Sequence, residues 1–396
     1  MKTLSKNLSK IEIEEFGKEL ETIRTDVMAK VGKEDADHIK KVYKTYRYTE
    51  VLGRGLIHFS FEPITFALGT GLLAISKILN NMEIGHNVMH GQYDWMNDPR
   101  FNSRTFEWDI VSDSKQWKFY HNYMHHTFTN VIGKDHDYGY NFTRLTEDQK
   151  WKPVHLTQMF SNLFLMFNFQ WGVGGHGPKV EYLEKPKKQR TKRSYKDYRD
   201  VWFKKIELQL VKDYLFFPLL ALINVPSILN IPKVILANFI ANGIRNVWTY
   251  AVIFCGHFTE NTETFTPDEI KEETKSMWYL RQLKGSSNLS GGNLFYIMTG
   301  HLSHQIEHHM FPDVPAKRYQ EIAPRLQELC AKYGQHYNVA SFPKQFWTVW
   351  KRIFAYSLPD KYALKIMESR NTKARNKALA QAVQSVNVEE KELVIA

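Results

Sequence analysis

Histidines are the residues in this chain whose type and spacing point to chemistry. Sixteen occur in 396 residues, and most fall in three tight groups. The first, HNVMH, sets His86 and His90 four residues apart. On a helix that spacing puts both rings on one face, one turn apart, where they can share a metal. The second, HNYMHH, supplies His121, His125 and His126. The third, HLSHQIEHH, holds His301, His304, His308 and His309, and an isolated His257 precedes it. A single pair at this spacing means little, because surface and core histidines produce it by chance. Three groups, each at the edge of an apolar stretch, point to a metal site. Imidazole suits iron, zinc, copper or nickel, so ligand type does not choose the metal. The number narrows it: about eight or more nitrogen donors are too many for one metal and suit two. Glu83, Asp135, Asp137, Glu260 and Glu307 lie close to these groups in sequence. Each could accept the second ring N–H of a ligating histidine and fix its tautomer, or equally stand as an exposed charge.

Composition limits the elements that can hold these groups. Mean hydropathy is −0.44, too low for a transporter made mostly of spanning helices. Aromatics nevertheless reach 14%, and the apolar residues are bunched, which fits a few spans carrying a large polar part. The two cysteines, Cys255 and Cys330, are too far apart for a cysteine metal motif and suggest no disulfide framework. Net charge is +11, with a dense basic run from Lys185 to Arg193. That run suits anionic lipid, a phosphate-bearing ligand or an acidic protein partner, or is simply a solvated loop. No nucleic-acid partner is expected. The charged first fifty residues carry no signal-peptide pattern, so membrane insertion must rest on internal segments.

Residues 1–50 read as an amphipathic helical segment. Residues 51–345 read as the main domain, with membrane helices at about 56–79, 210–231 and 233–255 and an interfacial stretch at 154–174. The last two helices form a hairpin broken at Pro232 and Lys233, and residues 346–396 form a helical or disordered tail. Glu62 and Pro63 interrupt the first span, and Arg245 sits inside the last. Either Arg245 faces protein or water, or its helix lies partly outside the hydrocarbon. The basic run belongs in the cytoplasm by the positive-inside rule, and all histidine groups must share its side. A single first span would then leave the N-terminus outside, so the 56–79 block is a re-entrant pair or extends upstream. The fold class expected is all-α: an integral membrane helical protein whose cytoplasmic cap holds a histidine-rich di-metal site.

The boxes HNVMH, HNYMHH and QIEHH, separated by apolar hairpins, resemble those of the membrane-bound fatty-acid desaturase family. The resemblance covers roughly residues 52–337. EIGHNVMHGQYDWMNDP followed by HNYMHHTFTNVIGKDHD is most similar to the mycobacterial-type acyl-CoA Δ9 desaturases. It implies two iron ions held by His86, His90, His121, His125, His126, His308 and His309, with His257 as the extra ligand before the third box. That box departs from the stearoyl-type pattern, with Gln305 where histidine would begin it and His304 just before, so either residue could contact the metal. The Gln form resembles front-end desaturases, which act between an existing double bond and the carboxyl end.

The resemblance implies an oxidoreductase in a cell (inner) membrane, multi-pass, with its active site facing the cytoplasm. It would use O2 and two electrons to place a cis double bond in a long-chain acyl-CoA or acyl-lipid, at Δ9 by the first two boxes. Removing hydrogen from an unactivated methylene is beyond acid–base side chains and requires an oxidant that a metal cofactor makes from oxygen. The chain shows neither the His-Pro-Gly-Gly stretch of a fused cytochrome b5 nor a dinucleotide fingerprint. Electrons would therefore come from an external ferredoxin, rubredoxin, cytochrome b5 or NAD(P)H-dependent flavin reductase. Trp95, Trp108, Trp117 and Tyr120 are candidates for the walls of an acyl tunnel, or ordinary packing and interface residues. A front-end desaturase and a lipid or alkane hydroxylase on the same scaffold are the alternatives. A zinc hydrolase would need an HExxH-type motif, and none occurs.

Overall fold

The computed structural model describes residues 5–224 and 227–367. Two charged amphipathic helices come first, α1 (Lys10–Met28) and α2 (Lys33–Phe59). A capping box starts α1: the Ser9 side chain accepts from the Glu12 N–H, and Glu12 accepts from the Ser9 N–H. The apolar helix α3 (Pro63–Met89) follows, opened by Glu62 as its cap and Pro63 in its first turn. It is regular to Leu79, widens into a π-helical segment at Asn80–His86, and closes with an α turn at Asn87–Met89. Helix α4 (114–128) has the same build, with its π-helical segment at Lys118–His125.

Next come α5 (Gln158–Phe167), α6 (Phe169–Leu183), α7 (192–224) and α8 (Asn230–His257). Then come α9 (Lys275–Gly285), α10 (Gln305–Met310), α11 (Tyr319–Lys332) and α12 (Phe342–Ser357), and residues 360–367 are helical as well. The protein is nearly all-α. A parallel pair of three-residue strands, Asn288–Ser290 with Val339–Ser341, is the only sheet among the described residues.

Several expected boundaries move. The block at 56–79 is not one span, because Glu62 and Pro63 end one helix and start another. The chain turns at Ser60–Glu62 and α2 packs back along α3, so the block extends upstream as a hairpin. Among the described residues one helix, Pro63–Met89, is long and apolar enough to cross a membrane, and half of its most apolar window is buried. The second hairpin breaks between Asn224 and Asn230, not at Pro232. Pro232 sits in the first turn of α8, where its missing N–H would have had no helical partner. Its first arm also starts earlier than 210, at Lys192. The 154–174 stretch is half-buried as α5 and the start of α6, with Phe160 and Phe164 exposed and Asn162 and Leu165 inside. Helix α12 crosses the expected boundary at 345/346 and buries Val349 and Ile353 in the core. Residues 368–396, most of the expected tail, lie outside the described residues.

Close contacts and buried polar pairs fix how the two hairpins meet. A Cβ on Gly53 would lie 2.8 Å from the Leu73 nitrogen, and one on Gly69 would lie 2.9 Å from the Gly53 carbonyl oxygen. Only hydrogen fits at this crossing. Between α7 and α8, Asn238 donates to the Asp213 carbonyl (2.6 Å) and Asn242 to its carboxylate (3.1 Å). Lys77 of α3 reaches the same carboxylate at 2.9 Å, and both partners are buried. Such a pair adds little net stability, but losing one partner strands a buried charge. Arg245 is buried and donates to the Asp109 carbonyl oxygen (3.2 Å), so it faces protein. Lys233 donates to the carbonyls of His58 (3.2 Å) and Ser60 (2.8 Å), which brings the tips of the two hairpins together. From those adjoining tips α3 and α8 run the same way, and each ends in histidines.

Replacing Gly69 with Val should push α2 and α3 apart. Overpacking of this kind costs about 1–3 kcal/mol. Thermal unfolding in detergent should therefore show a lower midpoint for Gly69→Val than for wild type, while Gly71→Ala, which meets nothing within 4 Å, should leave it nearly unchanged. An unchanged midpoint for Gly69→Val would refute the close-packed crossing.

Candidate metal centre

The π-helical segments place the first two boxes. His86 closes the segment of α3, with His90 four residues on, and His121 and His125 both lie within the segment of α4. A π turn is wider than an α turn, so residues four apart stay on one face, and such turns recur at functional sites. The third box arrives through a 3-10 turn, Leu302–His304, that converts to α10 at Gln305. Helix α8 ends at His257.

Two histidine clusters result. In the first, ligand atoms of His86, His90, His121 and His308 all lie within 4.8 Å of one another. In the second, His125, His257 and His309 do the same. His126 lies between them, its ring centroid 4.7 Å from His90, 4.8 Å from His308 and 4.3 Å from His309. Gln305 Nε2 is 2.9 Å from His257 Nε2, an approach made possible by Gly256, where a Cβ would lie 2.9 Å from the Gln305 side chain. His304 is left out of both clusters: it precedes the change of helix type, and its ring packs on Tyr296 at 4.6 Å. Of the two residues expected to compete, Gln305 is the one beside the histidines.

Outward ring nitrogens are tied down. His125 Nδ1 donates to Asp135 (2.9 and 3.0 Å) and His121 Nδ1 to Asp137 (3.0 Å). His86 Nδ1 donates to Asn87 (3.1 Å), His308 Nδ1 to the Tyr319 hydroxyl (3.2 Å), and His309 Nδ1 to Gln282 and Thr129 (both 3.2 Å). Asp135 and Asp137 thus take the supporting role considered for them. Glu307 instead bonds Asn288 and Tyr337, and Glu260 bonds Lys351. Glu83 bonds His38 and His301 and touches no box-one ring. Asn87 follows His86 within the first box, whereas Thr129, Gln282 and Tyr319 carry no spacing signal and are brought here by folding.

Inward nitrogens are not satisfied by protein. Nε2 of His90, His121 and His308 and both ring nitrogens of His126 are buried without a hydrogen-bond partner. Buried polar atoms in this state are rare, and their convergence is an arrangement that a bound cation would satisfy. His257 Nε2 lies 3.3 Å from His125 Nε2 and 3.0 Å from His309 Nε2. One proton can bridge only one of these contacts. Nitrogens about 2.1 Å from a shared metal ion would stand about 3.0–3.4 Å apart, so the spacing fits a cation at the second cluster. Neutral nitrogen donors in two groups fit two first-row transition metals, iron included.

The electrostatics favour ligation too. Burial, then mutual repulsion, holds the pKa values of His90, His121, His126, His308 and His309 well below the ordinary 6.5, which keeps their lone pairs available. For His125 burial acts in the same direction, but the charge and hydrogen bond of Asp135 outweigh it and the net shift is upward. Burial raises Asp137 to about 8.

A narrow cavity runs along these clusters. Its volume is only about 50 Å³. His86, His121, His125, His257 and Gln305 line one part, while Trp108, Trp117, Tyr120, Phe169, Val173 and Ile253 make apolar wall. Three of the four expected aromatics are therefore in place. Trp95 is half-exposed and lies away from the cavity, bonded to the Gln92 carbonyl.

Two outcomes should follow. Asp135→Asn should lower metal affinity about 10–100-fold, as loss of a ligand's supporting carboxylate does elsewhere; equal metal content after mild chelation would contradict it. The depressed histidines also set a pH dependence. Unfolded histidines take up protons near pH 6.5 while the buried ones stay neutral, so the metal-free fold loses stability as pH falls through that value. His125, Asp137 and Glu307, whose pKa values are raised in the fold, work against this trend, but the five depressed rings outnumber them. Denaturant midpoints of the metal-free protein should decline from pH 7.5 to pH 5.5, and a flat or rising midpoint would argue against neutral buried rings.

Comparison with known proteins agrees with this geometry. The family model described as fatty acid desaturase matches residues 62–341, more than half of the chain. An NADPH-dependent stearoyl-CoA 9-desaturase of Mycobacterium tuberculosis is 42% identical over 359 residues, 90% of this chain and 82% of that protein. An sn-1 linoleoyl-lipid 6-desaturase of Synechocystis is 26% identical over 70% of this chain and 77% of its own length. An acyl-lipid (8-3)-desaturase of Mortierella alpina is 25% identical over 74% of this chain and 64% of its own. With its three histidine boxes gathered around one cavity, the chain belongs to the fatty acid desaturase family.

Proposed function

We propose that the protein is an O2-dependent acyl-CoA desaturase that introduces a cis double bond at Δ9, in a membrane, using two iron ions. The observation that carries this reading is the narrow apolar cavity whose wall is interrupted by both histidine clusters. A methylene chain fits such a slot, and a slot admitting little water suits chemistry that must not be intercepted. Similarity to a protein named as a stearoyl-CoA 9-desaturase supports the substrate and position.

The chain's own residues have distinct tasks. His86, His90, His121 and His308 would hold one iron, and His125, His257 and His309 the other, with His126 between them and Gln305 beside His257. Asp135 and Asp137 hold the rings of His125 and His121 in the tautomer that directs Nε2 inward. The di-iron group, when bound, supplies from O2 an oxidant able to remove two hydrogens from adjacent methylenes. Trp117, stacked on His121 with centroids 4.3 Å apart, and Tyr120 limit where those methylenes can lie. Electrons come from a separate donor protein.

Membrane embedding rests on the surface of the hairpins. Phe61, Ile64, Leu68, Ile223, Ile228, Leu229 and Phe239 are all more than half exposed around the adjoining tips. An apolar surface of this extent suits lipid better than water. The basic run lies at the other end: Glu184, which leads into it, bonds His136 beside the second box (2.7 Å). Positive residues at that end favour a cytoplasmic metal centre in the cell (inner) membrane.

A second reading, front-end desaturation of an acyl-lipid, draws on the contact between Gln305 and His257 and on likeness to the Synechocystis 6-desaturase. Expression in a host of known lipid profile, followed by gas chromatography of its fatty acids, separates the two. A new Δ9 monoene is expected; a polyene desaturated nearer the carboxyl end supports the second reading, and a hydroxy acid overturns both. Loss of the product in His125→Ala or His309→Ala is expected, and retained turnover would remove that residue from the site. Val173→Trp should shift the product toward shorter chains by filling the slot, whereas an unaltered chain-length profile would place the substrate elsewhere.

A further inference from the structure

A third group of ligand-type side chains lies apart from the two clusters. His38 of α2, Glu83 in the π-helical segment of α3 and His301 before the third box offer ligand atoms that all lie within 4.8 Å of one another. Glu83 is fully buried, and each of its oxygens meets one ring: Oε1 is 2.7 Å from His38 Nε2 and Oε2 is 2.8 Å from His301 Nδ1. We propose that His38, Glu83 and His301 form a separate binding site for a zinc-type divalent metal ion, joining α2 to the third histidine group.

Four features support it. Two imidazoles and one carboxylate are a donor set that holds zinc, with further positions left for solvent. The backbone is bent to supply it: His301 is held at φ 56 next to Gly300 at φ 66, in the left-handed region where a residue with a side chain is strained. Gly300 cannot be replaced there, since a Cβ would lie 2.7 Å from the Met82 carbonyl group. Gln320 Nε2 lies 3.2 Å from His301 Nε2 and fixes the ring with Nδ1 toward Glu83, where an incoming metal ion would take the place of the Nδ1 proton. Finally, the site is accessible. A cavity of about 400 Å³ has His38, His301 and Gln320 in its wall, giving an ion a route in and room for solvent ligands. Both Glu83 oxygens turn to His38 and His301, so this ion would sit apart from the pair on the cavity side.

Cobalt(II), which reports its ligands by visible absorption, tests the site in full-length protein purified in detergent and already loaded with iron. Wild type should take up one cobalt equivalent that zinc displaces. His38→Ala should lose that equivalent while keeping its iron, and His38→Cys, which returns a metal ligand to the same helix position, should regain it. Equal cobalt uptake by wild type and His38→Ala would overturn the proposal and leave only a hydrogen-bonded triad. If His38→Ala does not accumulate, wild type decides: no displaceable equivalent overturns the site, and one equivalent regained in His38→Cys upholds it. Metal counting does not depend on the product formed, so a failed desaturase assay leaves this result intact.

Discussion

The structure depends on one unfavourable arrangement: imidazole nitrogens buried face to face without enough protons to bridge them. His257 Nε2 meets His125 and His309 at 3.3 and 3.0 Å, and Nε2 of His90, His121 and His308 and both ring nitrogens of His126 find no partner at all. Left alone, such a cluster loses hydrogen bonds to water without replacing them. A cation removes the conflict, and holding the rings ready for it requires a rigid outer frame. That frame is the ring of acceptors on the Nδ1 side, from Asn87, Asp135, Asp137, Gln282 and Tyr319. Each acceptor fixes both a tautomer and a ring direction, so the inward nitrogens already converge on one another.

Holding the frame in place requires long elements that converge. Helices α3 and α8 start at adjoining tips and deliver His86, His90 and His257 at their far ends. Their mutual depth is set by interior features: the glycine crossing at Gly53 and Gly69, and the Lys77–Asp213 pair that ties α3 to α7. On the other side α1 packs Phe16 and Leu20 against Ile306, Phe311 and Ile322, pressing the third box toward the first two. Apolar packing thus supplies the force, and the buried polar pairs decide the register.

The cavity follows from the same convergence. Rings that stack on the histidines, such as Trp117 on His121, also wall the slot, so one set of contacts orients the ligands and shapes the space beside them. Arg245, conspicuous in the sequence as a charge within an apolar helix, is part of this interior. It lines the cavity and bonds the Asp109 carbonyl, joining α8 to the loop between the first two boxes.

Sequence alone determined much of this, because the histidine boxes are local. Their four-residue spacing fits one helical face whatever the rest of the chain does, and their number implied two metals. Chain breakers were legible too, as at Glu62 and Pro63, although their consequence, a hairpin with α2, depended on how the upstream helix packed. Pro232 misled, since proline ends a helix only where an N–H is needed, and the first turn needs none. Tertiary structure decided the rest. It put Gln305 beside His257 and His304 against Tyr296, with a change of helix type between them, and it turned Asp135 and Asp137 toward the histidines while sending Glu260 and Glu307 elsewhere. It also brought His38 to Glu83 and His301, which are separated by 45 and then 218 residues. Spacing along the chain reports neighbours on one element; contacts between distant elements are set by packing, which a single sequence does not display.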